Sequence, residues 1–327
     1  MPCHDLLSGC SKMDMLSKNS DIAVAIRQEA LKLGFTACGF STVSDTPDEV
    51  YNAWQDWIAQ GKHASMTYME RYAAVRRNPQ ELLPQASTVI SLALNYYPSQ
   101  QLPAHNPRFA YYAYGKDYHE VMREKLQQLV SYIHTIASCE CRICCDTAPI
   151  FERYWAARAG IGFVGRNSQL ILPGRGSYFF LGEIVTTLPL PPSQPIASQC
   201  GECRRCIDAC PVRAIAEDGT IDARRCISCQ TIENRGEIAP EVACRLGRRV
   251  YGCDTCQEVC PHNSHATPTT IAEFQPREEL RTLTYKKMRK LTREEFAAIF
   301  RQSAVKRAKY EGLMRNLSCL DARLFEE

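Results

Sequence analysis

The sequence lacks any apolar run long enough to cross a membrane. No stretch of its 327 residues approaches the roughly 20 apolar residues that a spanning helix needs. The first twenty residues also lack the basic start, apolar centre and small-residue cleavage site of a signal peptide. We therefore expect a cytoplasmic protein without membrane contact.

A nucleotide-binding fingerprint and a large net charge are lacking as well. The glycines in residues 159–165, AGIGFVG, do not have the GxGxxG spacing of a Rossmann site. The net charge is only +3, which by itself does not indicate a nucleic-acid partner. Residues 281–315, however, contain eleven basic and three acidic residues, so this segment is a candidate phosphate-contacting surface. A solvated helix face is the alternative interpretation of such a segment.

Cysteine, in contrast, is abundant. There are 18 cysteines in a large chain with an apolar share of 45% and no export signal, so metal binding is a better interpretation than disulfides. Eight of them have the spacing of ligands to two 4Fe-4S clusters. These eight are Cys200, Cys203, Cys206, Cys210, Cys226, Cys253, Cys256 and Cys260.

The eight cysteines form two related runs that each end in Cys-Pro. Residues 200–211 have the spacing C-x2-C-x2-C-x3-C-P, in which the fourth cysteine of bacterial ferredoxins binds the other cluster. Residues 253–261 repeat this run without its first cysteine, which Cys226 supplies. Exchange of the fourth ligands predicts two sets: Cys200, Cys203, Cys206 and Cys260 for one cluster, and Cys210, Cys226, Cys253 and Cys256 for the other. A pair of zinc sites is the alternative, but zinc modules use pairs of CxxC knuckles.

Other cysteines fall outside this pattern. Cys229 and Cys244 are interpreted as buried or free thiols. Residues 139–145 contain four more cysteines with a strand-like alternation, which points neighbouring side chains to opposite faces. We interpret those four as packing residues and not as a four-sulfur site.

The apolar pattern predicts a mixed α+β fold. Helices are predicted over residues 20–33, 50–59 and 118–137. Strands are predicted over residues 35–40, 88–94 and 140–146, with a further strand pair formed by 168–172 and 178–187. Residues 188–195, LPLPPSQP, predict a linker because proline continues neither element. In the basic segment, Thr292 and Glu295 predict a capping box.

Asp146 is a candidate proton donor at the end of the strand predicted over 140–146. Burial beside Thr147 and Pro149 would raise its pKa towards neutrality. From residue statistics alone, a turn or helix-cap aspartate is the preferred alternative.

Distinctive blocks are spread along nearly the whole chain. They include LGF at 33–35, NYYP at 95–98, YGKDYH at 114–119, DTAP at 146–149, AGIGFVGRN at 159–167, LGEI at 181–184, YGCDTCQEVCP at 251–261 and GLMRN at 312–316. In this order the blocks resemble those of the epoxyqueuosine reductases, which are cobalamin-dependent enzymes of tRNA modification. So many blocks in one order make coincidence very improbable.

The resemblance implies a three-part organisation. A nitroreductase-like cobalamin-binding catalytic domain would cover residues 1–190. A ferredoxin-like module with two 4Fe-4S clusters would cover residues 196–262. Residues 271–327 would form a short basic helical tail that packs on the core. Electrons would pass through the clusters to cobalamin, which would reduce epoxyqueuosine to queuosine at the wobble position of tRNA. The general acid of the family matches Asp146. This match favours a proton donor over a turn or helix-cap aspartate, because protonating the departing oxygen lowers the barrier to epoxide opening.

The resemblance also implies binding residues. Asn167 and Ser168 match a family loop at the corrinoid, and Asp254 lies where cluster and cobalamin should meet. Arg76 is expected to contact cofactor or substrate, with an exposed structural arginine as the alternative. The expected tRNA contacts are Lys306, Arg307, Lys309 and Arg315.

The implied substrate is a tRNA with a GUN anticodon that carries epoxyqueuosine, and the implied partner is a low-potential electron donor. We expect a monomer. Tyr111, where the family usually has arginine, and Cys229, where an aromatic residue is common, depart from the family pattern.

Three other classes of protein remain as alternatives. A corrinoid reductive dehalogenase would generally carry a twin-arginine export signal. A ferredoxin-like electron carrier would not need the roughly 190 residues that precede the linker. A zinc-bearing nucleic-acid-binding module would contain no iron or acid-labile sulfide.

Overall fold

The computed structural model describes residues 7–326, in which helices and short strands alternate. The helices are α1 Leu7–Lys32, α2 Asp48–Ala59, α3 Ala73–Arg77, α4 Tyr118–Ile136, α5 Glu152–Arg158, α6 Arg205–Asp208, α7 Ile227–Ile232, α8 Pro240–Ala243, α9 Thr255–Glu258, α10 Glu278–Arg281, α11 Tyr285–Met288, α12 Arg293–Ile299 and α13 Lys309–Ser318. The strands are β1 Ala37–Thr42, β2 Thr88–Asn95, β3 Arg108–Phe109, β4 Cys141–Cys144, β5 Phe163–Val164, β6 Leu170–Ile171, β7 Phe179–Thr186 and β8 Arg249–Tyr251. Across residues 7–326, no helix combines the length and the apolarity that crossing a membrane requires. The predicted mixture of helix and sheet is confirmed.

A four-stranded antiparallel sheet with the order β1-β2-β7-β4 forms the centre of the first 190 residues. Ile90 and Leu92 of β2 face a core shared with α1 and α4, whereas Val89 and Ala93 face α5 and its neighbours. Because side chains alternate along a strand, both faces of the sheet are covered and β2 is almost wholly buried.

Helix α4 packs closely along the sheet and carries part of the candidate site at its start. The Asp117 side chain caps the helix by accepting the backbone N–H of His119 at 3.2 Å. Gly182 of β7 permits the close approach, because a Cβ there would lie 2.6 Å from Cε of Met122. This packing brings the beginning of α4 beside the segment that follows β4.

The cysteine-rich segment is joined to the first 190 residues through backbone pairing and a continuous core. Strand β8 pairs with β3 in parallel, and α6 packs against α9. The apolar core that contains Leu126 also contains Val250 and Leu317. Leu188 and Leu190 of the predicted linker are buried in that core, so the first part of this proline-rich stretch is anchored.

The basic segment is folded onto the rest of the molecule. The capping box predicted for Thr292 and Glu295 is confirmed, with reciprocal side-chain to backbone bonds. In α13, the buried amide of Asn316 donates to the carbonyl oxygens of Thr231 and Val250 at 2.7 and 2.9 Å. These two bonds fix α13 against α7 and β8.

Two local predictions are wrong. The first helix begins at Leu7 and not at Ser20, because Ser20 lies inside the helix and does not cap it. The predicted pair of strands 168–172 and 178–187 does not form, since β6 pairs with β5 while β7 is taken up between β2 and β4. An isolated bridge joins Leu172, the last residue of the first predicted strand, to Gly176, which precedes the second.

Candidate active site

One cavity lies among the four thiols predicted to bind the first cluster. Cys200, Cys203, Cys206 and Cys260 all line it, and Asn167 closes part of its wall. None of these four cysteines forms a disulfide. Four converging thiols are the donor set that a 4Fe-4S cluster requires.

The second predicted set also interacts internally. Burial raises the pKa of Cys226 to about 11, and the nearby thiols of Cys253 and Cys210 add to the rise. Burial also raises the pKa of Cys256, and the nearby thiols of Cys253 and Cys226 add to that rise. The Sγ of Cys210 accepts the backbone N–H of Ala214 at 3.3 Å, the kind of bond that tunes a cluster's potential. Metal coordination would deprotonate these thiols outright.

A chain of charged groups leads from the basic segment to Asp146. Lys306 Nζ lies 2.9 Å from Oδ2 of Asp117, whose Oδ1 lies 2.7 Å from Nδ1 of His119. His119 Nε2 lies 2.9 Å from Oδ2 of Asp146. The Tyr118 ring stacks on the His119 ring at a centroid distance of 4.0 Å, which fixes the plane of the imidazole.

The proton in this chain resides on His119. Burial lowers the pKa of His119, but hydrogen bonds to Asp117 and Asp146 outweigh burial and raise it to about 9. Burial raises the pKa of Asp146. The hydrogen bond and charge of His119 outweigh burial, so the pKa of Asp146 lies below its ordinary value. The prediction that burial raises the pKa of Asp146 towards neutrality is therefore wrong. The side chain is 56% exposed and has a cationic partner.

Two further carboxyl groups lie beneath Asp146. Glu152 Oε1 accepts the backbone N–H of Asp146 at 2.5 Å, which supports the positive φ of 54° at that residue. Burial, together with the charge of Asp146, raises the pKa of Glu152 to about 7. Glu183 of β7 is fully buried, and its pKa is raised by burial and by Glu152.

The predicted cofactor residues Asn167 and Ser168 lie against the cysteine-rich segment. Asn167 is 1% exposed, and its amide donates to the carbonyl oxygen of Cys256 at 3.4 Å. The hydroxyl of Ser168 donates to the carbonyl oxygen of Gly219 at 2.8 Å. Both residues therefore join the two parts of the chain.

Arg76 and Asp254 are both buried and face different surroundings. The Arg76 guanidinium lies over the rings of Trp54 and Phe151, with centroid distances of 5.5 and 5.6 Å. Its recorded hydrogen bonds are long contacts, 3.4 Å to a carbonyl oxygen and 3.8 Å to a sulfur, so donor capacity remains. Asp254 accepts the backbone N–H of Tyr111 at 2.8 Å, and burial raises the pKa of Asp254 to about 7.

Two family models match the chain. Residues 76–147 match the model described as epoxyqueuosine reductase QueG, and residues 199–263 match a 4Fe-4S double cluster binding domain. The second match covers all eight predicted cluster ligands.

Curated relatives extend the similarity to almost the full length. An epoxyqueuosine reductase of Cellulophaga algicola is 38% identical over 309 residues, covering 94% of this chain and all of that protein. One of Leadbetterella byssophila is 41% identical over 91% of this chain and 98% of that protein. The chain belongs to the epoxyqueuosine reductase family. Members of this family are oxidoreductases.

Solved structures of the family have the same fold. A crystal structure of an epoxyqueuosine reductase with an epoxyqueuosine-modified tRNA-Tyr stem loop has a TM-score of 0.85 and 31% identity, over 91% of this chain and 80% of that one. A Bacillus subtilis epoxyqueuosine reductase, whose catalytic aspartate loop is described as swung out of the active site, has a TM-score of 0.83 and 32% identity over the same shares.

The four basic residues expected to contact tRNA differ in their surroundings. Lys309 is exposed, and Lys306 is 54% exposed although it pairs with Asp117. Arg307 pairs with Glu233 at 2.7 Å. Arg315 donates to the backbone carbonyl oxygens of residues 230, 234 and 236, so its guanidinium is used to hold that loop.

Sequence reasoning missed His119 and Asp117 as site residues. Both lie in the block YGKDYH at 114–119, which was used only as a sign of resemblance. An Asp-x-His pair at a helix start was the available signal, because a capping aspartate also lies within reach of a histidine in the first turn. Glu183, in the block LGEI, gave a further signal as a glutamate within an apolar strand.

Proposed function

We propose that the chain reduces epoxyqueuosine to queuosine at the wobble position of tRNA, with two 4Fe-4S clusters delivering electrons to cobalamin. The observation that carries the proposal is the cavity lined by Cys200, Cys203, Cys206 and Cys260 in a member of this family. Cys210, Cys226, Cys253 and Cys256 would hold the second cluster. A pair of zinc sites would leave the purified protein without iron and acid-labile sulfide.

The cobalamin part of the proposal rests on Arg76 in the first segment and on Asn167, Ser168 and Asp254, which bond across the junction of the two segments. Arg76 retains guanidinium donors that would suit an amide or phosphate oxygen, and Asp254 lies between two cluster ligands. Asn167 and Ser168 would shape the junction, since their side chains already bond to the cysteine-rich segment. Bound cobalamin would supply a strongly reducing cobalt centre. We infer a nitroreductase-like fold for the first 190 residues.

Protonation of the departing oxygen would fall to Asp146 with His119 behind it. The Nε2–H of His119 donates across 2.9 Å to Oδ2 of the ionised Asp146, so the proton held by His119 would pass through Asp146 to the departing oxygen and leave His119 neutral. His119 is charged at neutral pH because its pKa is raised to about 9. The catalytic aspartate loop of the Bacillus subtilis relative supports a catalytic role for Asp146.

The tRNA would lie against the basic segment, where Lys306 and Lys309 are exposed. That a tRNA is the substrate is supported by the solved relative with an epoxyqueuosine-modified stem loop. Lys306, Arg307 and Lys309 would contact phosphates, while Arg315 would shape the surface by holding the loop at 230–236. The substrate would be a GUN-anticodon tRNA carrying epoxyqueuosine. We also propose that the enzyme is monomeric and cytoplasmic and that a low-potential donor reduces it. Its three parts would be residues 1–190, 196–262 and 271–327.

The test is anaerobic incubation of cluster-reconstituted protein with cobalamin, a reductant and epoxyqueuosine-containing tRNA, followed by nucleoside analysis. We expect queuosine to form. Asp146→Asn should retain iron and cobalamin but lose most turnover, because the amide cannot pass on a proton. Asp56→Asn, at an exposed site on α2, is the matched control. Full activity in Asp146→Asn would eliminate the proposed proton route.

A further inference from the structure

Three side chains that bind soft metal ions meet at the opposite end of α4 from His119. They are His134 in the last turn of α4, Cys139 in the connection that follows the helix, and Cys141, the first residue of β4. Their ligating atoms all lie within 4.8 Å of one another. None of the three belongs to the eight cysteines of the predicted cluster sets.

The local sequence explains why these side chains converge. Cys139 and Cys141 are two residues apart in extended chain, so their side chains share one face. Residues 137–138 reverse the chain between helix and strand, which brings the last turn of α4 back over that face. The backbone N–H of Thr187 donates to the carbonyl oxygen of Glu140, and the N–H of Glu140 donates to the Thr187 hydroxyl, so the start of β4 is held on the sheet edge. The fold therefore holds the two cysteines in place beside the helix end.

The distances suit tetrahedral coordination. Zinc–sulfur bonds of about 2.3 Å at a tetrahedral angle place two sulfur atoms about 3.8 Å apart. The Sγ atoms of Cys139 and Cys141 are 3.9 Å apart. That separation is far beyond a disulfide bond of about 2.05 Å, and both thiols are free.

The surroundings leave one coordination position open to solvent. His134 is exposed and the two cysteines are half-buried. A surface groove is lined by residues 134–139, which include His134 and Cys139. We propose that His134, Cys139 and Cys141 bind one zinc ion, with water as the fourth ligand.

Such an ion would connect two elements that carry the candidate active site. Helix α4 begins beside His119, and β4 leads directly to Asp146. A metal at the far end of the α4–β4 unit ties the helix end to the strand start, which opposes separation of the two elements. Zinc binding is therefore expected to raise the thermal stability of the protein. The site does not depend on the proposed reaction.

The experiment uses tag-free, cluster-reconstituted protein under anaerobic conditions, titrated with zinc against a chromophoric chelator. Wild-type protein should bind one zinc ion per chain while its iron content stays constant. His134→Gln, Cys139→Ser and Cys141→Ser should each weaken binding by roughly tenfold or more, because each removes a direct ligand. Cys244→Ser, which removes an exposed thiol outside this group, should bind zinc as the wild type does.

Zinc-edge X-ray absorption of the wild-type protein provides a readout that needs no variant. Two sulfur ligands with nitrogen and oxygen neighbours are expected. Zinc affinity unchanged by Cys139→Ser and Cys141→Ser, zinc uptake matched by iron loss, or a zinc shell of four sulfurs would each overturn the assignment. Failure to bind zinc at all would overturn it too.

Discussion

Glu183→Gln should stabilise the protein increasingly as the pH rises. Both carboxyl oxygens of Glu183 are buried and have no hydrogen-bond partner among the described residues. Burial, reinforced by the charge of Glu152, raises the pKa of Glu183 well above its ordinary value of 4.5. In the unfolded chain the Glu183 carboxyl group is ionised at neutral pH. Because its pKa is raised in the folded protein, folding takes up a proton at this position.

The size of the effect follows from proton linkage. The contribution of Glu183 to the stability of the wild-type protein is complete at a pH below the ordinary pKa of glutamate. That contribution is lost as the pH rises from there towards the raised pKa of Glu183 in the folded protein. The loss is about 1.4 kcal/mol per pH unit within that window. Glutamine has nearly the same shape and does not ionise, so the variant avoids this loss. At roughly 2 °C per kcal/mol for a chain of this size, the thermal midpoint of the variant should gain about 3 °C on the wild type per pH unit.

The assay is thermal unfolding of both cluster-loaded proteins, at one scan rate under anaerobic conditions, between about pH 6 and 8. Glu152, whose pKa is raised to about 7, titrates in both proteins and largely cancels in the difference. Glu81→Gln, at an exposed position, is the control and should show no pH-dependent gain. A Glu183→Gln advantage that stays constant or shrinks as the pH rises would refute the reasoning.

Three more predictions concern the proposed reaction. His119→Gln should lower turnover at neutral pH. It should also remove the loss of activity that the wild-type enzyme shows as the pH rises through about 9. The measurement is a pH profile of queuosine formation, and an unchanged profile contradicts a protonated His119. Lys309→Gln should reduce the slope of log tRNA affinity against log salt by about one, with Lys18→Gln as an exposed control, and equal slopes exclude a phosphate contact. Cys226→Ser should lower iron content by about half in elemental analysis, and full iron content excludes Cys226 as a ligand.

The sequence predicted elements whose signals are local. Helices α2 and α4 were predicted to within two residues, because their apolar positions recur at helical spacing between clear start signals. The cysteine spacing predicted the double-cluster domain for the same reason, since the run itself wraps a cluster. The partners of β6 and β7 were wrong, because strand pairing depends on distant segments that a turn motif does not reveal.

The electrostatics of the candidate site were not predictable from one segment. The direction of the Asp146 pKa shift depends on His119, which is 27 residues away, and on the charge of Arg307 in the basic segment. Burial alone would have raised that pKa, and the cation reverses it. A pKa predicted from neighbours in sequence therefore fails wherever the fold brings a partner from another element.

The two aspartates that flank His119 are chemically alike but differ in how firmly they are held. Asp117 is buried, caps α4 and pairs with Lys306. Burial raises the pKa of Asp117, but its hydrogen bonds to His119 and Lys306 outweigh burial, so the pKa is well below the ordinary value. Asp146 is more than half exposed at a backbone position of positive φ. The Nδ1–H of His119 is therefore fixed by a permanent anion, whereas Nε2–H faces a carboxylate that solvent or a substrate can reach. In the proposed reaction only the Nε2 proton would leave the ring, so His119 and Asp146 together would donate one proton while Asp117 orients the ring without taking up the proton.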